Sequence, residues 1–138
     1  MADNETIRAI IVDDEELARR VLREYLGSAP GVELVAECAN GFDAVKAIGE
    51  LAPDLVFLDV QMPGMDGFEL CTRIRALAQN RSTPIIFVTS LTDFKSRAKS
   101  SLSGGTDLIA KPFMFIELTV KALTHVLRGH IGQRRMAA

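Results

Sequence analysis

Apolar and polar positions run along this chain in two alternating rhythms. Ile7 to Val12 (IRAIIV) is short, apolar and β-branched and stops at an acidic pair, the pattern of a buried strand. From Glu15 to Ser28, Leu17, Val21, Leu22, Tyr25 and Leu26 recur at helical spacing, until Pro30 and Gly31 end the run. Val32 to Ala36 reads as a second strand, and Phe42, Val45, Ile48 and Leu51 then mark one face of a second helix. Leu55 to Asp59 (LVFLD) comes after Pro53 and is apolar on both faces, as in a fully covered strand. Phe68 to Leu77 predicts a third helix with Leu70, Ile74 and Leu77 inward. After Pro84, IIFVT is a fourth strand. Asp93 to Ser103 is a weaker, serine-rich helix with a thin stripe of Phe94, Ala98 and Leu102. Asp107 to Ala110 is a short fifth strand, and Met114 to about Arg128 is a last helix.

Strand and helix thus alternate five times. Continuous apolar strands between amphipathic helices predict an α/β fold, a parallel sheet covered on both faces. A length of 138 residues suits one such domain. In open parallel sheets the working site lies at the carboxyl ends of the strands. The residues just past each strand are therefore the place to look for chemistry.

Strand one ends in Asp13, Asp14, Glu15 and Glu16, and strand three in Asp59. Strand four ends in Thr89 and Ser90, and strand five runs into Lys111 and Pro112. If these strands are neighbours, three carboxylates, two hydroxyls and one ammonium meet at one rim. Like charges at that spacing repel, and a divalent cation relieves them. Hard oxygen donors favour Mg²⁺, which takes one or two carboxylates and keeps several waters. A carboxylate beside such a metal and a lysine is suited to accept a phosphoryl group, with Asp59 as nucleophile. Each residue also has an ordinary role open to it. Asp13 to Glu16 suit a helix start, Asp66–Gly67 a turn, Thr89 a strand and Lys111 a surface. Their joint placement at four strand ends is what points to a site.

These motifs resemble the receiver domain of two-component response regulators. IIVDDEE is similar to the family's acidic-pair motif, and LVFLDVQMPGMDGFEL to its phosphoacceptor strand and loop. IIFVTS is similar to its switch-hydroxyl strand, and DLIAKPF to its lysine–proline motif. The resemblance implies a (βα)5 doubly wound, flavodoxin-like, five-stranded parallel sheet of order 2-1-3-4-5. It implies a receiver unit over residues 7–128, a short extension over 1–6, and a segment over 129–138 that is either a tail or the start of a linker. It implies Asp59 as phosphoacceptor, supplied by a sensor histidine kinase or a histidine phosphotransfer protein. Mg²⁺ (or Mn²⁺) would be held by Asp14, Asp59 and the backbone carbonyl of Gln61, with Asp13 acting through water. Thr89 would move toward the phosphoryl group, Lys111 would pair with it, and the Lys111–Pro112 bond would be cis. The fourth helix, fifth strand and last helix would then shift to engage a second copy or an output domain. The chain is accordingly expected to be a cytoplasmic signalling switch rather than an enzyme, though it promotes its own phosphorylation and dephosphorylation. No other cofactor, no direct nucleic-acid contact and no membrane contact are expected.

The chain departs from the family pattern at Leu108, where Tyr or Phe is usual, so coupling to Thr89 is expected to be weak or differently built. Gly104–Gly105 and the nearby serines predict a locally unstable fourth helix. In the last helix, Ile116, Val120, Leu123 and Leu127 predict a core-facing stripe. Phe115, Thr119, Ala122 and Val126 form a second stripe, read either as a docking surface or as a wider core footprint.

Composition narrows the alternatives. The net charge of −2 hides a split: residues 1–69 carry 15 acids and 5 bases, and residues 70–138 carry 3 acids and 11 bases. The balance argues against a strongly basic nucleic-acid binder. The basic surplus, including Lys95, Arg97, Lys99, Lys121 and Arg128, falls on the segments expected to meet partners. Cys38 and Cys71 are isolated and read as small core residues of a reducing compartment. His125 and His130 match no zinc spacing. No apolar run reaches membrane-spanning length, and the start MADNETIR is acidic and polar, unlike a secretion signal. An aspartyl-phosphate phosphatase would want a second acid at position 61, where Gln61 stands. A flavin binder would want a glycine- and hydroxyl-rich loop after strand one, where four acids stand.

Overall fold

Five short runs of branched and apolar residues pair into one parallel sheet in the computed structural model, which describes residues 6–89, 107–110, 122, 124–127 and 129. The strands are β1 (Ile7–Val12), β2 (Val32–Cys38), β3 (Leu55–Asp59), β4 (Ile85–Thr89) and β5 (Asp107–Ala110). Between them lie α1 (Glu16–Gly27), α2 (Gly41–Leu51) and α3 (Gly67–Arg75), with a short 3₁₀ turn at Ala78–Asn80. The order is β2-β1-β3-β4-β5, and every neighbouring pair is parallel. This is the expected doubly wound sheet. The fourth and last helices fall largely outside the described residues, as do Ser90, Gly104, Gly105, Lys111 and Pro112.

Alternation along each strand divides the core in two. Ile10, Val12, Val56, Leu58, Ile85 and Phe87 pack with Ala44 and Ile48 of α2 and Leu70 and Ile74 of α3. Ala9, Ile11, Leu55, Phe57, Ile86 and Val88 face the other way, onto Leu22 and Leu26 of α1 and onto Ala122 and Val126. A strand covered on both faces needs no polar alternation, which is why LVFLD is apolar up to its last residue and wholly buried. On the α3 side, Phe68 meets Phe87 at a tilt, with ring centroids 5.0 Å apart.

Local chemistry sets the element ends. Asn40 caps α2 by accepting the Asp43 N–H at 2.8 Å, and its amide donates to the Asp43 carboxylate at 3.0 Å. Asp66 caps α3 by accepting the Glu69 N–H at 2.8 Å, so Asp66–Gly67 is the expected helix start. At the end of α2, Ala52 adopts the left-handed region, with φ 45°. Arg8 reaches across to this reversal, donating to the Leu51 carbonyl at 2.6 Å.

The helical stripes need correction at three places. Leu17 is 69% exposed, Phe42 64% and Leu127 58%, although all three are expected from their spacing to face inward. Leu17 and Phe42 lie in the first turns of their helices. Of the last helix's two stripes, Ala122, Val126 and Leu127 lie among the described residues. Ala122 and Val126 of the second stripe are buried in the core cluster on the α1 side of the sheet, as a wider core footprint would have them, and Leu127 of the first stripe faces outward. Two further boundaries move. β2 extends to Cys38 rather than Ala36, and α3 stops at Arg75 rather than Leu77, giving way to the 3₁₀ turn.

Candidate functional site

Register and alternation together bring two acids side by side. Ile11 pairs with Phe57 and Val12 with Leu58, so the next residues, Asp13 and Asp59, stand level at the carboxyl ends of adjacent strands. Both continue the parity of the α1-facing residues. Asp13 is fully buried and Asp59 is 5% exposed. Asp14 comes next, on the exposed side of the turn. One carboxylate oxygen from each of Asp13, Asp14 and Asp59 lies within 4.8 Å of the others. The three acids picked out at the strand ends are therefore gathered into one cluster.

The other expected residues are placed less completely. Thr89 ends β4, one residue past Val88, which pairs with Asp59. Its backbone pairs with Ala110, the residue before Lys111. The Thr89 hydroxyl, the Leu108 side chain and Lys111 lie outside the described structure. Gln61 sits exposed on the β3–α3 loop, two residues past Asp59.

That loop is held against the end of β3 by two glycines. The Gly67 N–H donates to the Val60 carbonyl at 3.0 Å. A Cβ at Gly67 would overlap the carbonyl oxygen of Asp59. A Cβ at Gly41 would come within 2.9 Å of the Met65 side chain. At Gly67 only glycine admits the neighbouring backbone, whereas a larger residue at Gly41 would require the Met65 side chain to shift. Gly64, with φ 82°, makes the turn within the loop.

The acidic turn is braced from three sides. The Asp13 N–H donates to the Cys38 carbonyl at 3.0 Å, extending the β1–β2 ladder by one rung. The Asp13 carboxylate accepts the Glu15 N–H at 2.9 Å. The Asp13 carbonyl accepts from Arg19 Nη1 at 2.7 Å. Arg19 also lies against Glu37 of β2, with Nε 3.7 Å from Oε1, and Arg23 pairs with the same carboxylate at 2.8 Å. Nearby, burial pushes the Cys38 thiol pKa up and Asp43 adds to this, while Arg19 opposes it. Arg19, Glu37 and Gly67 do not stand out in the sequence. Their signals there are faint: a base one turn into the helix after an acidic strand end, and a glycine directly after a helix cap.

The family model for the response regulator receiver domain matches residues 9–123. The chain belongs to this family. The receiver domain is 42% identical over 131 residues to an uncharacterized response regulatory protein of Yersinia pestis, covering 94% of this chain and 52% of that protein. It is 40% identical over 108 residues to a protein-glutamate methylesterase/protein-glutamine glutaminase of Myxococcus xanthus, covering 77% of this chain and 30% of the relative. The chain thus spans about half or less of the length of these relatives. Among solved structures it resembles chemotaxis protein CheY4 of Vibrio cholerae, with a TM-score of 0.78 and 30% identity over 88% of this chain and 98% of the other. It also resembles the response regulator domain of Thermotoga maritima CheB, with a TM-score of 0.76 and 29% identity over 89% of this chain and 95% of that one. A receiver domain is a signalling module of two-component systems. Among the described residues no helix is long and apolar enough to cross a membrane.

Proposed function

We propose that this receiver domain is a phosphorylation-controlled switch whose phosphoacceptor is Asp59. The observation that carries the reading is the cluster of Asp13, Asp14 and Asp59 at the carboxyl ends of β1 and β3, two of its members buried. Three carboxylates within 4.8 Å form a hard, oxygen-only donor set, which fits Mg²⁺ or Mn²⁺. Asp14, Asp59 and the Gln61 carbonyl would hold the ion, with Asp13 contributing through water. When bound, the metal supplies positive charge against the phosphoryl oxygens.

The protein's own residues do the rest. An Asp59 carboxylate oxygen bonds to phosphorus as the bond from phosphorus to a donor histidine nitrogen breaks, and the freed imidazole takes up a proton. The donor is a histidine kinase or a histidine phosphotransfer protein. The parallel register of β4 and β5 supports Thr89 and Lys111 as the hydroxyl and ammonium that meet the phosphoryl group. Added charge at the rim then favours a second arrangement of the fourth helix, fifth strand and last helix, which engages a second copy or an output domain. Residues 7–128 form this unit, working in the cytoplasm, with 129–138 as tail or linker.

Incubation with acetyl phosphate and Mg²⁺ tests the reading. Intact-mass spectrometry is expected to show one base-labile phosphoryl adduct on the wild type and none on Asp59→Asn. A wild type that takes up no phosphoryl group, or an Asp59→Asn variant that takes up as much, overturns it. Chelating the metal is expected to abolish adduct formation on the wild type.

A further inference from the structure

We infer that Arg19 is a positioning residue for the metal cluster, setting where the exposed Asp14 carboxylate stands. The inference rests on the metal-binding reading of the cluster. Its basis is the single peptide unit between Asp13 and Asp14. A peptide is planar, so the direction of the Asp13 carbonyl also fixes the Asp14 nitrogen and the exit of its Cα. Arg19 Nη1 holds that carbonyl at 2.7 Å. The Asp13 side chain and N–H are already fixed by Glu15 and Cys38. Asp14 has no burial to hold it. Its place relative to the two buried acids therefore depends on the peptide that Arg19 pins.

Arg19 is itself anchored. Its side chain is 19% exposed and Glu37, beside it, 22%. Arg23 grips the other Glu37 oxygen at 2.8 Å. Glu37 thus draws the guanidinium toward the end of β2 and offsets its charge. This matters for the sign of the effect. A bare cation next to a metal site repels the metal, so deleting it tightens binding. A positioning group does the opposite, because its loss lets the ligand wander and binding weakens.

Mn²⁺ titration followed by electron paramagnetic resonance separates the two without any phosphoryl chemistry. Arg19→Met is expected to weaken Mn²⁺ binding about tenfold, the effect usual for a group that orients a metal ligand. Glu37→Gln keeps an acceptor for Arg19 but removes the charge, and is expected to change affinity by less than about threefold. In an Asp14→Asn background, Arg19→Met is expected to have no further effect, because the ligand it orients is gone. Thermal unfolding checks that each variant is folded. Should Arg19→Met not fold, Arg19→Lys takes its place, since a single ammonium nitrogen lacks the planar fork that presents Nη1 to the Asp13 carbonyl and Nε to Glu37.

Unchanged or tighter Mn²⁺ binding in a folded Arg19 variant overturns the inference. So does a tenfold loss that persists in the Asp14→Asn background. A wild type that binds no Mn²⁺ instead overturns the metal-binding reading of the cluster. The two failures are therefore distinguishable.

Discussion

At the scale of single residues, the acids were legible and their supports were not. Asp13 and Asp59 stood out because each breaks an apolar strand at the end where α/β sheets do their work. Gly67 and Arg19 did not stand out, since their importance comes from chain segments they do not adjoin in sequence. Gly67 lies against the backbone of Asp59, and no local pattern signals that approach. Gly67→Ala is expected to destabilise the domain by about 1–3 kcal/mol, because backbone rather than a flexible side chain must move aside. It is also expected to lower the yield of Asp59 adduct at equal folded fraction. Urea unfolding and intact-mass spectrometry check the two parts. Leu17 and Phe42 teach a related lesson. Helical spacing shows which residues share a face, but not that every position on that face is covered.

Elements carried the clearest signal where both faces are buried. β3 and β4 begin where their apolar runs do and close on Asp59 and Thr89, because nothing polar competes inside them. In the last helix, Ala122 and Val126 of the second stripe are buried and Leu127 of the first is exposed. Two adjacent apolar stripes differ only by rotation about the helix axis, so spacing alone does not say which positions enter the core. The end of α3 was also beyond local pattern. There Arg75 turns back to donate to the carbonyls of Asn80, at 2.9 Å, and Thr83, at 2.6 Å, tying α3 and the 3₁₀ turn to the start of β4. Burial holds the Arg75 guanidinium pKa below its ordinary value, with Cys71 opposing the shift. Arg75→Met keeps the bulk but leaves those carbonyls without this donor. The expected loss is about 2–3 kcal/mol, read from urea unfolding. Mn²⁺ affinity is expected to be unchanged, since this connection lies at the end of the sheet away from the acids.

At the scale of the molecule, the fold class was legible because five repeats of one unit leave few topologies, and the strand order came with the family resemblance. The charge split has a narrower meaning than its size suggests. Part of the acidic surplus is concentrated at the rim, where Asp13, Asp14 and Asp59 repel one another. Exposed pairs such as Arg20–Glu24, 3.7 Å apart, contribute little. The whole domain is therefore expected to be more stable with metal than without. At free Mg²⁺ about a hundredfold above Kd, the gain is about 2.7 kcal/mol, several degrees in Tm. Asp14→Asn is expected to raise the metal-free Tm and to lose most of the Mg²⁺-dependent rise. Thermal melts with and without Mg²⁺ test both. A metal-free Asp14→Asn protein that melts below the wild type would show that the cluster is not under repulsive strain.

The burial of β3 on both faces has a consequence for how this chain tolerates change. Leu55 to Leu58 can be exchanged for residues of similar volume, because only packing is asked of them. Their number cannot change. Adding or removing one residue shifts Asp59 by roughly 3.3 Å along the strand and turns its carboxylate to the opposite face. The segment before Asp59 is thus free in spelling but fixed in count. Insertions and deletions are expected to be tolerated in the loops and not between Leu55 and Asp59.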